Sequence, residues 1–186
     1  MWVLHDAGRA VVVDPGESSG VRSYLEQNNL TLHTILITHH HGDHTGGVAE
    51  LREAYDCKVF GPVKEKMPEP LTRVQGGQQL EVLGLTFHVM DVPGHTAGHI
   101  AYFCDQLDTG PLVFCGDTLS AADVGDVEGH LSKCMHRWQH WLHCLPRPGF
   151  VVRMNTRSPT CRLQRRWNLA TLTSLPTWCN ATTSAP

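Results

Sequence analysis

The chain has 186 residues, of which 41% are hydrophobic and 18% charged, and its formal net charge is −3. This composition is typical of one globular domain and argues against a disordered chain. No apolar run reaches the ~18–20 residues of a membrane-spanning helix. The net charge is near neutral, which argues against a nucleic-acid partner. The 13 histidines are the unusual feature, and they indicate a metal-binding protein.

Strand and helix patterns alternate along the first 118 residues. A capping serine, Ser18 or Ser19, predicts one helix that runs to about Asn28. Helical spacing predicts a second from Thr45 to Tyr55, and the Pro-rich segment 61–72 is typical of a loop. Short apolar runs rich in β-branched residues predict strands at 9–14, 33–38, 58–60, 80–82, 85–92, 100–104 and 111–115. The sequence therefore predicts an α/β fold in which sheet elements predominate.

The strongest motif is THHHGDH at 38–44, directly after a predicted strand. Gly42, within this motif, predicts an irregular loop. Residues two apart in an extended segment point the same way, so His39 and His41 can share one metal. Asp43 and His44 are adjacent, so they cannot both point the same way as His39 and His41, and this favours a second metal. Imidazole and carboxylate are the ligands that zinc and similar first-row ions accept.

Two later segments add chemistry of the same kind. His95 lies in PGHTAGH and Asp117 lies in CGDT, and each segment follows a predicted strand. Together they supply a third imidazole for one metal and a carboxylate able to bridge two. His40 and His99 are interpreted as supporting residues. Three histidines lie on strand patterns and are not expected to be ligands: His5, His33 and His88.

The motifs THHHGDHTGG, PGHTAGH and FCGDTL resemble those of the metallo-β-lactamase-fold hydrolases, and among these the sequence looks most like glyoxalase II (hydroxyacylglutathione hydrolase). The resemblance covers residues 1–119 and implies an αββα sandwich. The implied ligands are His39, His41 and His95 for the first metal, Asp43 and His44 for the second, and Asp117 as the bridge.

The resemblance implies hydrolysis of S-lactoylglutathione to lactate and glutathione. Two divalent metals, zinc with iron or manganese as alternatives, lower the pKa of a bound water from ~15.7 toward ~7, so that a metal-bound hydroxide attacks the thioester carbonyl. Asp43 is the expected catalytic residue that orients this hydroxide. The expected partner is a small-molecule glutathione thioester. The chain is expected to be a cytoplasmic monomer that binds neither membranes nor nucleic acid.

Two other functional classes compete with this interpretation. One is another metallo-β-lactamase-fold enzyme, namely a lactonase, a β-lactamase-like hydrolase or a persulfide dioxygenase. The other is a non-catalytic metal-binding or interaction protein whose basic tail contacts an acidic partner. Turnover of thioesters against lactones separates the enzymes, and salt-sensitive binding would favour the interaction protein.

The sequence departs from the resemblance after residue 119. Residues 129–186 contain no Asp or Glu against eight Lys and Arg, and they hold four of the five Trp. The genetic code allows a second reading frame to be tested, in which each codon consists of the last base of one residue's codon and the first two bases of the next residue's codon. In that frame the five codons that overlap residues 152–157 can encode Ala-His-Glu-Tyr-Thr. By the resemblance, this motif carries the last histidine of the second metal site. The Glu in this reading is forced by Met154 and Asn155.

This alternative reading predicts a frameshift near codon 119. Residues 1–119 would then be the hydrolase core, and residues 120–186 would be a disordered tail without resemblance to the family in this frame. The second metal site would lack its last histidine, and the sandwich would be incomplete in its second half. We therefore expect impaired folding and weak activity.

Overall fold

The computed structural model describes residues 1–107 and 110–118, together with the backbone of 151–153 and 168–171. These segments form two β-sheets that pack face to face. Three short α-helices and one 3₁₀ turn connect the strands. No helix in these segments is long and apolar enough to cross a membrane.

The first sheet has six strands. They are β1 (Trp2–Asp6), β2 (Arg9–Val13), β3 (Thr31–Leu36), β4 (Lys58–Pro62), β5 (Thr72–Val74) and β11 (Asn168–Thr171). Their order is β11-β1-β2-β3-β4-β5. The pairs from β2 to β5 are parallel, whereas β1 is antiparallel to both of its neighbours.

The second sheet has five strands. They are β6 (Gln79–Val82), β7 (Leu85–Asp91), β8 (Ile100–Cys104), β9 (Leu112–Phe114) and β10 (Val151–Arg153). Their order is β10-β9-β8-β7-β6. All of its pairs are antiparallel except β9 with β10.

The helices are short, and two of them cover the outer face of the first sheet. They are α1 (Ser19–Gln27), α2 (Gly42–Thr45) and α3 (Val48–Tyr55), and a 3₁₀ turn spans Gly116–Thr118. Val21 and Leu25 of α1 and Val48 and Leu51 of α3 pack on one face of the first sheet. The spacing of Val48 and Leu51 is what the sequence pattern predicted.

Strand β2 shows why the sequence has continuous apolar runs. Val11 and Val13 face the core between the two sheets, whereas Ala10 and Val12 face the core beneath the helices. All four are fully buried. A strand covered on both faces needs apolar residues at every position, and each buried Val contributes on the order of 1.5–3 kcal/mol.

Most sequence-based expectations for these segments are confirmed, and the mixed sandwich is the fold class that the sequence predicted. The irregular loop expected at Gly42 was wrong, because Gly42–Thr45 form one helical turn that the carbonyl of His41 closes by accepting the amide of Thr45 at 3.1 Å. The second helix begins at Val48 rather than Thr45. Strands β1 and β5 were not predicted.

The predicted tail, residues 120–186, lies outside the described residues except for two backbone segments. Residues 151–153 form β10 beside β9, and residues 168–171 form β11 beside β1. The boundary at residue 119 stays a prediction.

The fold brings several loops to one edge. Ile100 N donates to the Thr38 carbonyl at 3.0 Å, which joins the start of β8 to the loop after β3. The turn after β2 packs equally closely, because a Cβ on Gly16 would lie 2.0 Å from the carbonyl oxygen of Asp43. Gly47 N also donates to the Pro15 carbonyl at 2.8 Å. The predicted metal-binding residues lie on these loops.

Candidate metal centre

Three imidazoles from two loops form the first group of candidate ligands. His39 and His41 follow β3, and His95 follows β7; their ligand atoms lie within 4.8 Å of one another. Nε2 of His95 lies 2.9 Å from Nδ1 of His41. His39 is fully buried and His95 is 9% exposed. The structure therefore brings together the three histidines that the sequence assigned to one metal.

A second group lies beside the first and shares a histidine with it. His39, His44 and Asp117 also place one ligand atom each within 4.8 Å of the others. Nε2 of His44 lies 3.4 Å from Oδ1 of Asp117 and 3.6 Å from Oδ2 of Asp43. The Asp43 side chain is 77% exposed and faces solvent, unlike the buried His44.

Asp117 lies between the two groups. Its Oδ1 faces His44 at 3.4 Å, and its Oδ2 lies 3.9 Å from Nε2 of His95. The carboxylate is carried by the 3₁₀ turn after β9, which begins at Gly116 with a φ of +50°. A Cβ at Gly116 would lie 2.3 Å from Oγ1 of Thr38, so glycine allows this turn to reach the histidine loop.

The sequence matches a family model, the metallo-beta-lactamase superfamily, over residues 1–143. The chain belongs to this superfamily. A hydroxyacylglutathione hydrolase of Albidiferax ferrireducens is 60% identical over 125 residues, which cover 67% of this chain and 49% of that protein. One of Pseudomonas paraeruginosa is 45% identical over 149 residues, covering 78% of this chain and 57% of that protein. The chain thus spans about half the length of the curated relatives it matches.

The fold of this chain is also similar to that of a solved structure. A crystal structure of TTHA1623 in a di-iron-bound form aligns with a TM-score of 0.65 and 28% identity, covering 86% of this chain and 88% of that one.

Burial within this superfamily member's histidine cluster favours the neutral imidazole at His39 and His99. Burial lowers the pKa of His39 far below its usual range, and the neighbouring histidines lower it further. Burial also lowers the pKa of His99 to about 4. Neutral imidazole is the form that ligates a metal.

His44 is the exception among these imidazoles. Burial acts to lower its pKa, but the carboxylates of Asp117 and Asp14 outweigh it and raise the pKa to about 10. Burial acts to raise the pKa of Asp117, whereas His44 and the other nearby imidazoles hold it below its usual value. A protonated His44 therefore offsets part of the negative charge of Asp14 and Asp117.

The residues fit a bound cation on a second ground. Nε2 of His39 is buried and has no hydrogen-bond partner among the described residues, while its Nδ1 lies 3.0 Å from Oγ1 of Thr38. Buried polar atoms are normally paired, so this unpaired imidazole nitrogen among the candidate ligands is suited to holding a metal ion.

Sequence reasoning missed Asp14, the last residue of the strand predicted at 9–14. Its Oδ1 accepts from Thr38 N and its Oδ2 from Thr38 Oγ1, both at 2.8 Å, and Oδ2 lies 3.1 Å from Nδ1 of His44. The residue adopts a φ of +51°. A carboxylate at the end of a buried strand, before Pro-Gly, was the available signal.

The remaining histidines of the described segments lie outside both ligand groups. His99 stacks on His39 with ring centroids 4.6 Å apart, and its Nδ1 lies 3.2 Å from Oγ1 of Thr118. His40 turns away and pairs with Glu65, a residue that sequence reasoning also missed. The three strand histidines lie outside both groups: His5, His33 and His88.

Proposed function

We propose that this chain carries the metal centre of a hydroxyacylglutathione hydrolase and hydrolyses 2-hydroxyacyl thioesters of glutathione, with S-lactoylglutathione as substrate. The observation that carries the proposal is the position of Asp117, within 4 Å of both His44 and His95. A carboxylate between two imidazole groups is the arrangement that a pair of cations needs. The names of the curated relatives support the choice of substrate.

The proposed ligands are His39, His41 and His95 for one cation, Asp43 and His44 for another, and Asp117 for both. Divalent cations held there, with zinc favoured over iron or manganese, would supply a water of lowered pKa and positive charge beside the thioester carbonyl.

The chain's own residues would then orient the reactants. The exposed carboxylate of Asp43, 3.6 Å from His44, is placed to accept a hydrogen bond from the attacking water and fix its direction. The buried carboxylate of Asp14, 3.1 Å from Nδ1 of His44, holds that imidazole with its Nε2 toward Asp117. The glutathione thiolate is a good leaving group, so little general-acid assistance is required.

We further propose that this chain is impaired relative to a complete enzyme. The family's last histidine for the second cation and its glutathione-binding region would follow residue 119, where the displayed frame departs from the expected motifs. We also propose that the protein is monomeric and cytoplasmic. The buried free thiols of Cys57, Cys104 and Cys115 are compatible with a reducing compartment.

The test is metal analysis and thioester turnover on the same preparation. The full chain is loaded with Zn²⁺, bound zinc is counted, and S-lactoylglutathione hydrolysis is followed by loss of the thioester. Asp117→Ala should lower the amount of bound zinc and abolish turnover, whereas His88→Gln, on β7 outside both groups, should retain both. A chain that binds no zinc, or whose turnover survives Asp117→Ala, would refute the proposal.

The competing functions are decided by the same preparation. Faster turnover of a lactone, a β-lactam or a glutathione persulfide than of S-lactoylglutathione would favour another enzyme of the superfamily. Zinc binding without turnover, in both the displayed and the frame-restored chain, would favour a non-catalytic metal-binding protein.

A further inference from the structure

Glu65 is a buried carboxylate outside both candidate ligand groups. It lies in the loop between β4 and β5, and only 2% of its side chain is exposed. Burying an unpaired carboxylate is costly, so its partners must compensate for the lost hydration. Those partners come from two different loops of the candidate metal centre.

The two carboxylate oxygens of Glu65 each serve one loop. Oε2 accepts from the backbone amide of His40 at 2.9 Å and also contacts Nδ1 of His40. Oε1 accepts from the backbone amide of Gly98 at 2.8 Å and from the hydroxyl of Thr96. These bonds hold the pKa of Glu65 below its usual value even though burial acts to raise it.

The bonded residues are the chain neighbours of two candidate ligands. His40 directly precedes His41, and Thr96 directly follows His95. Glu65 contacts neither ligand itself, but its hydrogen bonds hold the backbone next to His41 and next to His95, whose ring nitrogens lie 2.9 Å apart. We propose that Glu65 is a positioning residue that sets the separation of His41 and His95 and thereby the metal affinity of the three-histidine group. This inference rests on the metal centre of the proposed function.

The Glu65 carboxylate is itself held in place. Nη1 of Arg73 donates to the backbone carbonyls of Glu65 and, at 3.0 Å, of Pro62. Gly98 packs against the side chain so closely that a Cβ there would lie 2.6 Å from Cγ of Glu65. A fixed backbone and a filled space leave the carboxylate little room to shift, so its bonds define the spacing of the two loops.

The decisive variant is Glu65→Gln in the full chain. Glutamine keeps the shape but replaces one acceptor oxygen with an amide NH₂ that cannot accept, so either the His40 donors or the Thr96 and Gly98 donors lose their partner. Zn²⁺ affinity is measured on the metal-stripped chain by competition with a chelating indicator, and the ligand geometry by the visible spectrum of bound Co²⁺. We expect Zn²⁺ affinity to fall about 10–100-fold, as is typical when a group that orients a metal ligand is removed, and the Co²⁺ spectrum to change.

Two control variants separate positioning from general stability. Glu53→Gln changes an exposed glutamate on α3, away from Glu65 and Arg73, and it should leave Zn²⁺ affinity unchanged. Leu32→Val trims a buried side chain at the start of β3, the end away from the metal centre, and should lower stability without changing the Co²⁺ spectrum. If Leu32→Val weakens Zn²⁺ binding as much as Glu65→Gln does, the role of Glu65 is only structural and the inference is wrong.

The remaining outcomes also decide the matter. Unchanged Zn²⁺ affinity in a folded Glu65→Gln chain would overturn the inference and leave the proposed function intact. An unsubstituted chain that binds no Zn²⁺ would overturn both. Should Glu65→Gln not fold, Thr96→Val removes a single donor and keeps the carboxylate; it should weaken Zn²⁺ binding to a smaller extent, and no weakening would count against the inference.

Discussion

His41 and His95 are 54 residues apart in the chain, yet Nδ1 of one lies 2.9 Å from Nε2 of the other. One follows a strand of the first sheet and the other a strand of the second. The candidate metal centre therefore exists only when the two sheets are packed together. The amount of bound metal should thus indicate whether the two sheets are packed against each other.

Replacing His95 should remove the three-histidine group. We expect His95→Ala to lower Zn²⁺ affinity by more than the ~10–100-fold that supporting residues contribute. The rise in melting temperature on adding Zn²⁺, measured by differential scanning fluorimetry, should disappear with it. His33→Gln, on β3 and outside both groups, is the matched control and should keep the shift.

The turn after β2 should tolerate no side chain at Gly16. A Cβ there would lie 2.0 Å from the backbone oxygen of Asp43, so Gly16→Ala must push the histidine loop away. We expect a loss of unfolding free energy of about 1–3 kcal/mol, typical of overpacking, and weaker Zn²⁺ binding. Gly42→Ala meets nothing within 4 Å and should change neither quantity. Equal behaviour of the two variants in urea unfolding and zinc titration would contradict the packing described.

Glu65 should make the metal-free chain sensitive to acid. Its pKa is lower in the folded chain than the ordinary 4.5, so its stabilising contribution is fully present above pH ~4.5 and is lost as the pH falls through the folded value. The difference in unfolding free energy between the unsubstituted chain and Glu65→Gln should therefore be largest above pH ~4.5 and shrink below it. Urea unfolding at a series of pH values measures this. Glu69→Gln should show a much weaker trend, because Arg73 lowers the pKa of Glu69 as well but the pair is exposed and solvent screens it. A difference for Glu65→Gln that is independent of pH would argue against a charged Glu65.

Tyr102 should link the sheets through its hydroxyl. This fully buried side chain of β8 donates to the carbonyl of Ile37 at 2.9 Å, and burial raises its pKa well above the ordinary value, so it remains a donor. Tyr102→Phe should cost about 1–3 kcal/mol of unfolding free energy, because it leaves a buried carbonyl unpaired. Tyr55→Phe, at the partly buried end of α3, should cost much less. A cost for Tyr102→Phe no larger than that control would exclude the bond as a significant link.

The reading frame after residue 119 can be checked on the DNA itself. Sequencing across codons 112–160 should reveal one missing base near codon 119, and the restored frame should encode Phe after Leu119 and His-Glu-Tyr-Thr near residue 154. The frame-restored chain should then bind a second Zn²⁺ more tightly and turn over S-lactoylglutathione faster. Confirmation of the displayed frame would remove the basis for this prediction.

The candidate ligands were predictable because each lies directly after an apolar strand. The parallel pairs β2-β3 and β3-β4 place their carboxyl ends at one edge, so residues such as His39 and His41 fall there whatever the exact strand bounds. The strand at Leu85–Asp91 was equally clear, because its alternating burial leaves a period-two pattern in the sequence.

The supporting residues were not predictable from local patterns. Glu65 lies in a Pro-rich loop and Asp14 in an ordinary turn, and neither differs locally from a solvated carboxylate. Glu65 bonds to residues 25 to 33 positions away, and Asp14 bonds to Thr38, 24 positions away, so only the tertiary fold makes them part of the centre. The helical turn at Gly42–Thr45 was missed because glycine disfavours helix, while the tight approach of Gly16 constrains that backbone instead.

The bond from Ile100 N to the Thr38 carbonyl has a consequence for how the chain responds to metal. It joins β8 to the backbone immediately before His39, so a cation that fixes the histidine loop also holds the second sheet against the first. A cation that binds only the folded chain stabilises it by ~2.7 kcal/mol at a hundredfold excess over its dissociation constant. Amide hydrogens of both sheets should then slow their exchange together on metal addition, so that the two sheets open as a single cooperative unit.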